Sequence, residues 1–430
     1  MLDPVGNSSR SNGRLKGARG AASVQLLVIL VPVLFGMMGF ALDLGQLYLV
    51  RGELQTAANS MATAAASQLI GTDLSLDNAN TFARLTLDNS TGSANKYFFG
   101  GLLIGQTNGN LVSEAPDPSF YATAADAIGA GTGSAVGGAQ ARHAGVTITA
   151  DVQLTFWSFL SLATERKVSV AAKAAAGISA PLCTACNIEP IAVAAVDASD
   201  TTNFGFVQGA EYTFGYVCTG TPTPQVLPNT SARIPYLLLN RLNTTATVFA
   251  DEQSQLYRVG AGGLPGSTST AQSCFTINNP EQIWATAIPP TCSAANPGQS
   301  VASMLCGITS RFEPTFPGTC ASITDIDTMS SIYPQDVDFT EITDYTQYVG
   351  NGRRVITIPI VDVLNATGAM TVLGFRQFVI EPSAGGVDIN VGDANGRFPV
   401  LYIGSPVPVK QGSFSGCQQS SGPGKVVMHQ

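Results

Sequence analysis

Several groups of residues are of types that do chemistry. Cys183-Thr-Ala-Cys186 has the spacing of a redox dithiol. Such a pair works when the helix that follows it lowers a thiol pKa. Here Pro181 precedes the pair, Asn187-Ile-Glu-Pro190 follows, and Pro190 discourages the helix. Asn187 also stands where a haem-attachment motif requires His. A zinc site needs two further ligands nearby, and the chain has only His143 and His429. Structural disulfides are therefore expected from Cys183, Cys186, Cys218, Cys274, Cys292, Cys306, Cys320 and Cys417. All eight follow Pro181, which fits oxidative folding outside the cytoplasm. Sequence proximity favours Cys274–Cys292 and Cys306–Cys320, each closing a loop worth about 3 kcal/mol in the chain-entropy model.

Carboxylates form two further groups. Asp325, Asp327, Asp336, Asp338, Glu341 and Asp344 offer oxygen ligands at short spacing. No Asp-x-Asp-x-Asp-Gly loop organises them, so a solvated acidic face is expected. Asp197-Ala-Ser-Asp-Thr201 follows the apolar run Ile191–Val196. It resembles the Asp-x-Ser-x-Ser/Thr metal loop of von Willebrand A domains, whose strands alternate with amphipathic helices. The Gly/Thr/Pro-rich sequence that follows does not continue that pattern. Two histidines argue against a Ser-His-Asp triad. Gly260-Ala-Gly-Gly263 lacks the Lys-Ser/Thr of a phosphate loop. The expectation is a chain that is not an enzyme, with no catalytic, cofactor-binding or metal residues and no cofactor.

The elements that hold these groups begin with an uncharged stretch from Gly20 to Leu42. The nineteen residues Val24–Leu42 would cover roughly 28 Å as a helix, close to the ~30 Å hydrocarbon core. Val24, Pro32, Gly36, Gly39 and Leu42 mark this candidate transmembrane segment; its Pro and Gly residues are tolerated in a spanning helix. Beyond Asp43, Leu47, Val50, Leu54, Ala57, Met61, Ala64 and Gln68 recur every three or four residues, so the helix is expected to run on to about residue 70. Arg10, Arg14, Lys16 and Arg19 precede the span, which places the N-terminus in the cytoplasm by the positive-inside rule.

Arg19-Gly, the apolar span with Pro32, Asp43-Leu-Gly-Gln-Leu-Tyr48 and Arg51-Gly-Glu-Leu-Gln-Thr-Ala-Ala-Asn59 together resemble the N-terminus of TadE/TadG-like proteins of tight-adherence (Flp-type) pilus assembly systems. Val146–Ala176 resembles the strand, aromatic loop and second strand that follow the helix in this family, and the likeness covers about residues 19–178. It implies a cell-envelope protein that helps to build or anchor a surface pilus, with the bacterial inner membrane and other envelope proteins as partners. If Gly20 marks a prepilin-peptidase site, the position that holds Glu in related pseudopilins is Gln25. Pilin-like subunits associate through such a helix, so Gly36, Gly39, Ala57, Ala58, Ala62, Ala64, Ala65 and Ala66 are read as small surfaces either for assembly or for packing on the chain's own strands Val146–Gln153 and Lys167–Ala174. Asp43 is expected to stay hydrated or to pair with a partner's basic residue.

The expected fold class is α+β. A basic cytoplasmic tail (1–22) leads into a transmembrane and extended helix (23–70), then an α+β region (71–180) with an Ala/Gly-rich linker (122–142), then a β-rich, Cys-containing domain (181–430). Only 12% of residues are charged, which suits an extracytoplasmic β-rich protein better than a helical cytosolic enzyme. The net charge is −8, and the part after the basic tail is more acidic still, which disfavours nucleic acid. Strands are expected at Val146–Gln153, Lys167–Ala174, Ile191–Val196, Arg354–Val363, Met370–Ile380 and Pro399–Ile403. Short helices are expected at Leu237–Leu242 and Val301–Cys306. Trp157, Phe159 and Leu160 are read as core, with an interfacial anchor at the lipid surface as the alternative. The alternative to a pilus component is a membrane-tethered extracytoplasmic binding module or adhesin; any small-molecule ligand is unspecified.

Overall fold

The computed structural model describes residues 18–87, 97, 117–129, 131–154, 156, 167–186, 188–189, 191–216, 233–239, 274–278, 283–284, 299–312, 335–365, 368–382 and 396–429. Two compact units are distinguished. One holds the N-terminal helix as far as Thr56 together with Ile148–Ala172; the other holds Ala57–Ser93, Ala115–Thr147 and Lys173–Gln430. Trp157, Phe159, Leu160, Asp325, Asp327, Cys218, Cys292 and Cys320 lie outside the described residues, as does the basic tail before residue 18.

Helix α1 (Ala18–Ala66) is a single element of 49 residues that contains Pro32. It is followed by α2 (Leu74–Leu87), which buries Ser75, Ala79, Ala83 and Leu87, one residue per turn on one face. Strands β1 (Ser119–Tyr121), β2 (His143–Gln153), β3 (Lys167–Ile178) and β15 (Val426–His429) form a sheet in the order β1-β2-β3-β15. The Ala/Gly-rich segment lies between β1 and β2 and carries the short helix α3 (Ala124–Ala127), whose first turn Thr123 caps. It is tied down locally: Gly138 N–H donates to Asp73 at 2.9 Å, and Val136 N–H to the Phe120 carbonyl.

The β-rich region closes a six-stranded barrel. Its strands are β5 (Ile191–Ala194), β6 (Glu211–Tyr216), β7 (Arg233–Leu238), β10 (Val355–Val361), β12 (Val372–Ile380) and β13 (Phe398–Tyr402), in the order β10-β12-β13-β6-β7-β5. The β10–β5 and β6–β7 pairs are parallel and the other paired strands are antiparallel. Alternate residues point inward: Tyr212, Phe214 and Tyr216; Ile356, Ile358 and Ile360; Phe398, Val400 and Tyr402. Helix α4 (Gln299–Thr309) adds Val301, Met304, Leu305 and Ile308 to this core at helical spacing. The other face of β5, β7 and β12 is buried too, against β4 (Thr184–Cys186) and β8 (Cys274–Thr276). Leu237 and Leu238 therefore end strand β7 and do not begin a helix. Leu238 faces the barrel core while Leu237 and Leu239 face the second cluster, so the run is apolar without a visible period.

Two of the six acidic-stretch residues are also placed differently from the expected solvated face. Asp336 and Asp338 are buried around Arg354, which is 0% exposed. The Arg354 guanidinium donates to the Ile380 carbonyl at 2.7 Å, the Thr340 carbonyl at 2.8 Å and the Glu381 carboxylate at 2.8 Å. It lies near the Phe312 and Tyr348 rings. Asp336 accepts from the Tyr348 hydroxyl and from the backbone N–H of Arg354 and Asp338. A second buried pair, Arg311 with Glu189, lies at the end of α4. Burial pushes the Glu381 carboxyl up to about 8, with Arg354 and the Ile342 N–H pulling it back.

Two disulfides depart from sequence proximity, and the expected Cys306–Cys320 pair involves Cys320, outside the described residues. Cys183 joins Cys417, and Cys186 joins Cys274. Strands β4 and β8 place Cys186 directly opposite Cys274, and this excludes the Cys274–Cys292 pair expected from sequence. The two cysteines of the CxxC run thus sit in different bonds. Cys306 is also disulfide-bonded, and no described cysteine is free.

Two expectations follow. Peptide mapping without reductant should recover the Cys183–Cys417 and Cys186–Cys274 crosslinks, and Cys417→Ala should lower stability by roughly 2–5 kcal/mol. The second concerns pH. Glu381 holds its proton more tightly folded than unfolded, so its contribution is full below the unfolded carboxyl pKa near 4.3 and is lost as pH rises toward about 8. Between pH 6 and 8 the melting temperature of Glu381→Gln should fall less steeply than that of the parent chain. Equal slopes would show that Glu381 is ionised throughout.

Candidate membrane and assembly helix

Seventeen large apolar side chains between Val24 and Leu49 are exposed on α1. Val24 and Leu42, at the two ends of the expected span, are both open, as are Pro32 and nearly all positions between. At about 1.5–3 kcal/mol for each side chain brought out of water, covering this surface is worth tens of kcal/mol. Among the described residues nothing covers this surface, and a patch of this size is of the kind that lipid or other helices cover. The helix satisfies its own backbone, which hydrocarbon requires. Pro32 lacks an N–H for the carbonyl one turn earlier, a defect that spanning helices tolerate.

Gly36 and Gly39 differ in surroundings. Gly36 has open space where a side chain would stand. Gly39 is buried, and a Cβ there would meet the Phe156 ring at 2.1 Å. One turn on, the Asp43 carboxylate accepts the Phe156 backbone N–H at 3.1 Å. Gly39 and Asp43 therefore form a dock for the residue that follows β2: the glycine admits the ring and the carboxylate takes the amide. Asp43 is 6% exposed and bonded to its own chain, not hydrated as expected from sequence. Residues 44–49 continue the exposed apolar surface with Leu44, Tyr48 and Leu49, Tyr48 at 81%. An exposed tyrosine just beyond an apolar span suits the membrane–water interface.

The buried face of α1 follows the predicted spacing. Val50 and Leu54 are buried, and Ala57, Ala58, Met61, Ala62, Ala65 and Ala66 are fully so. Ala58 and Ala65 lie in the interior of this chain, which favours packing within the chain over the other reading from sequence, a surface for partner subunits. On the open side of the same segment, the Thr63 hydroxyl meets the Met428 sulfur of β15 at 3.1 Å. The exposed positions are Arg51, Gly52, Gln55, Thr56, Thr63 and Ser67, none of them a large apolar residue.

The other chemically capable residues are engaged locally. In the Asp197–Thr201 loop, Asp197 accepts from the Ser199 N–H and hydroxyl, and Asp200 from the N–H groups of Thr202, Asn203 and Gly205. These bonds hold both carboxyls below their usual pKa. The loop leads straight from β5 to β6 with no intervening helix. His143 and His429 sit edge to face, ring centroids 5.0 Å apart. Among the described residues no cluster of three His, Cys, Asp or Glu could hold a metal. Sequence reading missed Glu189, Arg311, Arg354, Arg376 and Glu381; the available signal was a charge inside an apolar run, as in Val372-Leu-Gly-Phe-Arg-Gln-Phe-Val-Ile380.

The two faces respond differently to substitution. Ala58→Leu forces extra carbons into a filled interior and should cost about 1–3 kcal/mol, read as a lower melting temperature in detergent. Tyr48→Ala should leave the melting temperature unchanged. If Ala58→Leu is silent, the alanine face is not packed as described.

No curated protein matches the chain, and no solved structure does. The family model named Tad, described as Flp pilus-assembly TadE/G-like, matches residues 20–68, so the likeness read in the Arg19–Asn59 motifs holds across the exposed apolar stretch and alanine face of α1.

Proposed function

We propose that the chain is a membrane-anchored structural component of a Flp/Tad-type pilus assembly, with a non-catalytic domain outside the cytoplasm. The observation that carries this is the coincidence of the family match at residues 20–68 with the helix whose apolar surface is bare over Val24–Leu49. The anchor is a single pass through the bacterial inner membrane. Its N-terminus is cytoplasmic, as Arg10, Arg14, Lys16 and Arg19 favour. The bulk of the chain is periplasmic, and the disulfides of the β-rich region support an oxidising compartment. The non-catalytic reading is supported by the separation of Cys183 and Cys186 into different bonds and by the saturation of Asp197 and Asp200 with loop amides.

The assembly surface in this reading is the exposed apolar side of α1, including Leu44, Tyr48 and Leu49 just beyond Asp43. It is not the alanine face, which the chain itself occupies. Protease added to intact spheroplasts should digest residues 181–430 while the fragment that carries α1 stays in the membrane fraction. Photo-crosslinkers at Tyr48 and Leu49 should capture other pilus-assembly subunits. Protection of the C-terminal region in intact spheroplasts would overturn the topology; crosslinks to lipid alone would reduce the helix to an anchor.

A further inference from the structure

Arg376 of β12 is 3% exposed and lines a cavity of about 290 Å³ beside the barrel. Its guanidinium donates to the carbonyls of Phe375, Thr201 and Thr202 and to the Ser421 hydroxyl, and lies 4.3 Å from the Phe204 ring centre. These partners are neutral, and the Nε–H has none. The contrast with the other deeply buried arginines is direct. Arg311 has Glu189, and Arg354 has Glu381 with Asp338 nearby. Among the described residues no carboxylate lies within ion-pair distance of Arg376. Asp200 is near enough to be felt electrostatically, but its oxygens are taken by Thr202, Asn203 and Gly205. A buried cation without a counter-charge is costly, typically by several kcal/mol, and an anion that completes it recovers that cost.

The cavity wall fits such a ligand. Ser405 and Ser420 supply hydroxyls, whereas the Tyr402 and Ser421 hydroxyls already donate to Asn203 and to the Thr202 carbonyl; at Gly422, with φ +133°, a side chain would stand 3.5 Å from the guanidinium. Arg376 is the sole cation among the described lining residues, so the charge they leave to be matched is single. A phosphate, with more charge and three equivalent acceptors, would call for a second cation. The volume lies at the small end of ligand pockets, room for a carboxylated side chain and water.

We propose that the cavity beside Arg376 binds a single carboxylate, supplied by a free organic acid or by an acidic side chain of a polypeptide. The test uses the full chain in detergent micelles at constant ionic strength, titrated calorimetrically with acetate, with glutamate blocked at both ends as N-acetyl and N-methylamide, and with inorganic phosphate. A carboxylate should bind saturably and phosphate at least tenfold more weakly. Blocked glutamate binding tenfold tighter than acetate identifies a polypeptide source; equal binding identifies a free acid. Arg376→Lys should weaken carboxylate binding tenfold or more. Because Arg376 also holds the Thr201–Thr202 loop, a second variant is needed. Ser420→Trp, at an exposed rim position without a bond to Arg376, should block binding at unchanged melting temperature. No saturable carboxylate binding, phosphate binding as tight as carboxylate, or binding unaltered by Ser420→Trp would each overturn the assignment.

Discussion

Between Ala57 and Ala66 the structure depends on how little side chain α1 carries. Five of those positions are fully buried alanines, and Met61 fills the space between them. Interiors at this packing density accept no extra carbon without displacement. The seat fixes where the chain leaves the helix, and Ile70 follows within four residues. Its carbonyl accepts the Tyr345 hydroxyl at 2.7 Å, and its side chain joins Val379, Leu401, Ile403 and Val407 on the outside of the barrel. Ile70, just past the end of the helix, is thus the point at which this segment meets the outside of the barrel within the second unit. The same helix, a few turns earlier, has large residues pointing outward that no described residue covers.

The barrel holds its charges by a different rule. Its strands supply aromatic and branched side chains to one core, and both surfaces of β5 and β7 are covered. A charge that enters is costly unless it brings its partners along. Arg354 does so through carbonyls from β12 and from 338–340, two carboxylates and two aromatic rings. Removing one partner from such a group leaves the others buried and unmatched, which makes the network sensitive to single substitutions. This is why the segment 335–348, irregular apart from one 3-10 turn at Tyr345–Gln347, is fixed against the barrel.

Much of the architecture is legible in the sequence, and the failures have physical reasons. Helix α1 is readable because a charge-free run and a three-four spacing agree along it. The strands at 143–153, 191–194, 355–361 and 372–380 are readable from β-branched runs between turn residues. Strand β7 is not, because a strand buried on both faces loses its alternation. The disulfides escape sequence proximity because β4 and β8, 88 residues apart through Cys186 and Cys274, meet only when the sheet forms. Asp336 and Asp338 look like a solvated run until Arg354 is placed among them. The Arg376 cavity draws on residues from 179 to 423, so no local window contains it.

The return of β15 to the sheet has a consequence for biogenesis. Thr63 and Met428 touch across a sequence separation of 365, and β15 pairs with β3 over Val426–Ile178 to His429–Ala175. At ~5–20 residues per second, synthesis of that interval takes on the order of tens of seconds. During this time the sheet lacks one edge and the region around Thr63 waits for its neighbour. The long loop must then be closed against its entropy, which slows the final docking relative to local helix formation. A nascent chain therefore passes through a stage in which α1 is complete while its sheet is unfinished, and β3 keeps a defined, unpaired strand edge until β15 arrives.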